Sequence, residues 1–116
     1  MKLERELMRG AAPTAVMQLL AGGEKYGYEL VEALSRHSNG VLGMGQSTLY
    51  PLLYNLEAKG LVTSRVDKTG PRPRRFYRLT QHGRRKLADD TKQWQALWEA
   101  LQSLGVAGQP AAGGVR

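Results

Sequence analysis

The stretch Gly45-Gln-Ser-Thr-Leu-Tyr-Pro-Leu-Leu-Tyr-Asn-Leu-Glu-Ala-Lys-Gly60 decides how the rest of the chain is read. Its apolar residues are Leu49, Leu52, Leu53 and Leu56, with Leu61 just beyond. Spacings of three, four and seven place them on one face of an α-helix. The opposite side carries Gln46, Ser47, Thr48, Tyr50, Tyr54 and Asn55, all uncharged hydrogen-bonding side chains. Such a face suits base edges or phosphate oxygens; it also describes the ordinary wet side of an amphipathic helix. Ser47 or Thr48 is placed to cap the start, and Gly60 to end the helix. Pro51 falls in or just after the first turn, where a missing N–H does least harm.

Downstream the period changes. In Gly60-Leu-Val-Thr-Ser-Arg-Val-Asp67, Leu61, Thr63 and Arg65 alternate with Val62, Ser64 and Val66, the pattern of a strand. Lys68-Thr-Gly-Pro-Arg-Pro73 is turn chemistry, and Arg74-Arg-Phe-Tyr-Arg-Leu-Thr80 is a second strand. Together they predict a β-hairpin, the wing of a winged helix. Upstream, Leu3 to Ala21 reads as helical, with Leu7, Val16, Leu19 and Leu20 as its core residues. Gly10 and Pro13 interrupt it, giving either a kinked helix or a short arm followed by a helix from Pro13. Tyr26 to His37 is a second helix with Tyr26, Leu30, Val31 and Leu34 on one stripe. Its early Gly27 asks for a reason, such as close approach of another helix. Ser38 to Gly45 is a turn-rich connection. The order helix, helix, turn, polar-faced helix is a helix-turn-helix layout.

Thr80 is placed to cap a last helix running to about Leu104. Leu87, Trp94 and Leu101 are seven apart; Leu97, Trp98 and Leu104 form the second row of a heptad-like seam. Both tryptophans lie here, more apolar surface than a small winged helix can easily cover, so the seam predicts pairing with another chain. The expected fold is mainly α with a small β-hairpin: a winged helix-turn-helix DNA-binding domain over residues 1–79, a long dimerisation helix over 80–104 and a flexible tail over 105–116.

Length and composition fit one small domain whose modest core leaves burial for a dimer to complete. Seventeen Lys and Arg against ten Asp and Glu favour a polyanionic partner. Nine of those cations fall between Arg65 and Lys86, opposed only by Asp67. This concentration on the hairpin favours polyanion binding over a merely solvated face. Arginines there would grip phosphates or enter the minor groove, while the polar helix reads the major groove. The candidate DNA-binding residues are therefore Gln46, Ser47, Thr48, Tyr50, Tyr54, Lys68, Arg72, Arg74 and Arg75. The chain has no cysteine, and His37 and His82 lack any metal-ligand spacing, so neither metal nor cofactor is expected. No apolar run could span a bilayer and the charged N-terminus is no signal peptide, which makes the cytoplasm the expected site. No spacing suggests a nucleophile with its base, or a phosphate-binding glycine loop, so an enzyme is not expected.

The motifs Tyr26-Gly-Tyr-Glu-Leu30, Gly45 to Tyr54, Leu56-Glu-Ala-Lys-Gly-Leu-Val62 and Gly70-Pro-Arg-Pro-Arg-Arg-Phe-Tyr-Arg-Leu-Thr80, followed by Gly83, resemble the PadR family of winged-helix transcriptional repressors. The resemblance covers about residues 4–104, and the single terminal helix is similar to the family's small subgroup. It implies a homodimer held by the last helix against the partner's first helix. It further implies an inverted-repeat operator in double-stranded DNA and release of that DNA on binding an effector. In small members that respond to planar aromatic drugs, a tryptophan on the last helix lines a flat cavity at the dimer centre, and Trp94 falls at that position. The effector and dimer residues implied are Leu7, Trp94, Leu97, Trp98 and Leu101. Trp98 departs from the drug-responsive pattern, which has an acidic residue there, and a second tryptophan can fill the cavity rather than line it. Pro13 departs too. The competing reading is a winged helix used as a protein-interaction or assembly module, with the tryptophan helix as its binding surface.

Overall fold

The helix read from Gly45 onward forms at Gln46–Ala58, the third of four helices in a computed structural model that describes residues 1–106. In chain order the elements are α1 (Arg5–Ala21), β1 (Lys25–Tyr26), α2 (Gly27–His37), α3 (Gln46–Ala58), β2 (Val62–Asp67), β3 (Arg74–Leu79) and α4 (Gln81–Ser103). Of the expected tail, residues 107–116 lie outside the described residues. The strands make one antiparallel sheet in the order β1-β3-β2.

The leucine face of α3 is the centre of the core. Leu49, Leu53 and Leu56 are buried against Val16, Met17 and Leu20 of α1, Leu30 and Leu34 of α2, and Val62, Tyr77 and Leu79 of the sheet. Each fully buried aliphatic side chain contributes about 1.5–3 kcal/mol relative to exposure, so this face outweighs the cost of an internal Pro51. At the far end, Gly60 is left-handed at φ 75°. Its N–H bonds to the Glu57 carbonyl and that of Leu61 to Leu56, both at 2.9 Å, the double closure of a Schellman stop. The start differs from the sequence expectation. Gly45 is the N-cap and neither Ser47 nor Thr48 caps the helix, because they fall inside its first turn. Their hydroxyls thus stay on the exposed turn.

Several other expectations are corrected. Of the two alternatives for the first helix, the short arm followed by a helix from Pro13 is the one overturned; α1 runs through Gly10 and Pro13 as one element. Loss of the Pro13 N–H forfeits one bond, which the burial of Val16, Met17 and Leu20 in the next turns offsets. Leu7 is no part of the protomer core, being 57% exposed. Tyr26 is not a helical core residue: it belongs to β1, a third strand that the sequence reading missed, and serves as the N-cap position of α2. Its N–H donates to Glu29 at 2.9 Å.

The expected hairpin forms, with Val62 opposite Leu79 and Asp67 opposite Arg74. Thr80 caps α4 as read, its hydroxyl accepting from the Gly83 N–H at 2.9 Å and donating to the Gly60 carbonyl at 2.7 Å. That hydroxyl ties the start of α4 to the end of α3. Only Gly83 and Leu87 of α4 are buried. The rest of the helix extends a molecule measuring 60 × 29 × 22 Å.

Candidate nucleic-acid interface

Gln46, Tyr50 and Tyr54 are spaced by four and share one stripe of α3. Tyr54 is 77% and Tyr50 41% exposed, and Gln46 and Ser47 are exposed beside them. Among the described residues nothing walls this stripe off. Thr48, although exposed, sits on its edge and lines a groove shared with Leu3, just before α1, and Met8 of α1. Tyr50 leans on α2: a Cβ at Gly27 would come within 2.7 Å of the phenol Cζ. Glycine there leaves room for that ring, the helix approach that the sequence could only suggest.

The sheet has two faces of different character. Alternation places Arg75, Tyr77 and Leu79 on the side of α3, where Tyr77 and Leu79 are buried. Burial pushes the Tyr77 phenol pKa up. Toward the tip of the same face, Arg75 donates to Ser64 at 3.0 Å, and Ser64 donates to Glu57 of α3 at 2.8 Å. Arg75 is thereby held beside the polar stripe. Lys68 and Arg72 stand exposed on the connecting loop.

Arg74 lies on the opposite face. Its guanidinium sits 4.6 Å from the centre of the Tyr26 ring and 6.0 Å from that of Phe76. Arg65 covers Phe76 at 5.0 Å and grips Glu24 with two bonds of 2.9 and 2.7 Å. Tyr26 and Phe76 meet edge to face at 5.4 Å. The Arg65 guanidinium holds the Glu24 carboxyl below its ordinary range. Asp67, on the same face, is held low by the N–H and hydroxyl of Thr69. The sequence-predicted cations therefore divide: Arg75 joins the α3 stripe, Lys68 and Arg72 crown the loop, and Arg74 turns away from both. Glu24, Tyr26, Glu57, Ser64 and Phe76 were missed as parts of the site. The parity of β3, with Leu79 in phase with Arg75, was the available signal.

The second predicted cluster lies on α1 and α4. Trp94 is 37% and Trp98 49% exposed, and Leu97 is exposed between them while Leu101 is half-buried. Leu7 lies on the α1 face that continues through Gly10 and Thr14. The Trp94 indole N–H donates to Thr14 at 3.2 Å; Thr14 donates to Asp90 at 3.3 Å, and Asp90 pairs with Lys86 at 2.6 Å. These groups edge an open cavity of about 470 Å³ bounded by Pro13, Leu56, Lys59 and Leu97. Among the described residues no helix is long and apolar enough to cross a membrane, and no cluster of acidic or histidine side chains could hold a metal ion.

Comparison with known proteins gives one family. Residues 16–89 match the family described as "Transcriptional regulator PadR-like family". The chain is similar to Transcriptional regulator Rv3488 of Mycobacterium tuberculosis, 38% identical over 93 residues that cover 80% of this chain and 84% of the relative. A PadR family transcriptional regulator from Eggerthella lenta superposes with a TM-score of 0.78 at 36% identity, over 89% of this chain and 88% of that one. A transcriptional regulator from Clostridium thermocellum superposes at 0.79 with 23% identity, covering 84% of this chain and 96% of the other, a likeness of fold alone.

Proposed function

The chain belongs to the PadR-like family of transcriptional regulators, proteins that are not enzymes, and from that premise we propose that it is a dimeric, sequence-specific DNA-binding repressor released from its operator by a small, planar aromatic effector. The observation that carries this reading is the exposed stripe Gln46-Tyr50-Tyr54 with Arg75 fixed on the same side. A helix with free amide and phenol groups can enter the major groove and bond to base edges. Ser47 and Thr48, free of capping duty, are available for phosphate oxygens at the helix N-terminus. Lys68, Arg72 and Arg75 then supply the salt-dependent attraction to the backbone.

Residues 1–79 act as the reading unit and residues 80–104 as the dimerisation helix. Support for pairing is the exposed row Leu7, Trp94, Leu97 and Trp98, whose apolar area would be left in water in a single chain. A twofold dimer matches an inverted repeat, with half-sites spaced about one helical turn or a multiple of it. The cavity beside Trp94 falls in the size range of small-ligand sites, about 300–1,000 Å³, and the indole offers a stacking face. The place of action for such a regulator is the cytoplasm.

Exchange of Arg72 and Arg75 for alanine, followed by gel shift against the DNA upstream of the protein's own gene, tests the reading. Affinity is expected to collapse while the dimer persists. The same exposed tryptophan row favours a second reading, an assembly module that contacts another protein, under which those substitutions change no function.

A further inference from the structure

Two arginines adjacent in β3 have different work. We propose that Arg74 is a positioning residue for DNA binding: with Tyr26, Phe76, Arg65 and Glu24 it forms a brace across the outer face of the sheet that fixes the angle of the hairpin to the body, while Arg75 and the loop cations make the contacts. This inference rests on the wing's role in the proposed function.

Three observations carry it. The first is connectivity. β1 is only two residues long, and it is the strand that joins the hairpin to the base of α2. Two backbone positions are a weak hinge, and the side chains of this face reinforce it. Arg74 and Arg65 lie over aromatic rings of β1 and β3, and Glu24, immediately before β1, is bonded twice to Arg65 of β2. Every strand of the sheet is thus tied to the others on this one face.

The second is charge. Glu24 and Asp67 both lie with this face, and a phosphate brought near them meets two carboxylates held in the ionised form. On the α3 side of the hairpin the Arg75 guanidinium donates to Ser64, and the one carboxylate in that chain, Glu57, already accepts from the Ser64 hydroxyl. The third is geometry: parity sends Arg74 away from Gln46, Tyr50 and Tyr54 whatever rotamer it takes. A duplex lying along α3 meets Arg75 and the loop before it can reach Arg74.

The test compares log K against log salt for the full chain, wild type and variants, on duplex DNA from upstream of its own gene. Amide exchange of Lys25 and Tyr77 is followed in parallel without DNA. Losing a phosphate contact lowers the slope by about 0.9, and Arg75→Ala is expected to do so. Arg74→Ala is expected to leave the slope unchanged, weaken binding by roughly threefold or more, as for loss of an exposed cation–π contact, and speed exchange at Lys25 and Tyr77. Tyr26→Leu should reproduce Arg74→Ala, and Tyr26→Phe, which keeps the ring, should restore wild-type behaviour. A slope drop in Arg74→Ala equal to that in Arg75→Ala overturns the brace, as does unchanged exchange in Arg74→Ala. If wild type itself gives no salt-dependent complex, the DNA-binding reading fails instead, and with it the positioning role.

Discussion

The phenol of Tyr50 rests over the bare Cα of Gly27, so the exposed face of α3 is set partly by a missing side chain on α2. A second close approach, at Gly83, has a harder neighbour: an added Cβ would strike the Leu61 carbonyl, which is backbone, and come within 2.7 Å of Leu79. The two glycines therefore respond differently to the same change. Gly83→Ala has to lift α4 from the sheet and should cost about 3 kcal/mol, lowering Tm by about 15 °C. Gly27→Ala meets the tip of a half-exposed ring that can swing into solvent. Its stability should stay within about 1 kcal/mol of wild type while DNA affinity falls with the displaced Tyr50. Thermal melts with binding assays check this, and equal melting losses in the two variants would contradict it.

Acid should act through the outer sheet face. Glu24 has a folded pKa below its ordinary value because Arg65 bonds to it, so its contribution to stability is present above the unfolded value and is lost as pH falls through the folded one. Wild type should therefore melt higher than Glu24→Gln at neutral pH, and the gap should close as pH drops through the carboxylate range. Salt should narrow the same gap, since the pair is exposed. A gap constant from neutral to acid pH would remove Glu24 from the account.

Dimerisation should reside in the exposed end of α4. Trp98→Ala deletes a large side chain that is 49% exposed in its own protomer. The chain should keep its helical content while dimer dissociation strengthens by about thirtyfold, the usual weight of an interface tryptophan of about 2 kcal/mol. Sedimentation velocity over a dilution series measures this. An unchanged dissociation constant, or a monomeric wild type, would place the interface elsewhere.

A planar tricyclic dye should quench tryptophan emission if the cavity beside Trp94 takes aromatic ligands. Thr14→Val removes the acceptor that orients the indole and should weaken that quenching. Emission left intact up to the solubility limit of the dye would mean that Trp98 or its neighbours fill the space.

Much of this architecture was legible because single residues dictate single local outcomes. Gly60 had to stop α3, Thr80 had to start α4, and the alternation from Leu61 to Val66 could only be a strand. What escaped was long-range. β1 has two residues, too few to show a period, and exists because β3 offers it an edge. Ser47 and Thr48 looked like caps because the sequence does not say which turn comes first; Gly45 takes that place. Leu7 read as core because apolar spacing alone cannot show which side chains the folded protomer leaves exposed. Arg74 and Arg75 were grouped by charge when strand parity separated them.

The most direct measurement of the central claim is equilibrium binding of the full chain to DNA from upstream of its own gene, against a shuffled duplex of equal length, between about 50 and 200 mM salt. The expected result is a preference for the natural sequence that is lost in Gln46→Ala with Tyr54→Ala, together with a salt slope that falls by about 0.9 in Arg75→Ala. Equal, salt-insensitive binding to both duplexes, or none at micromolar protein, would contradict it.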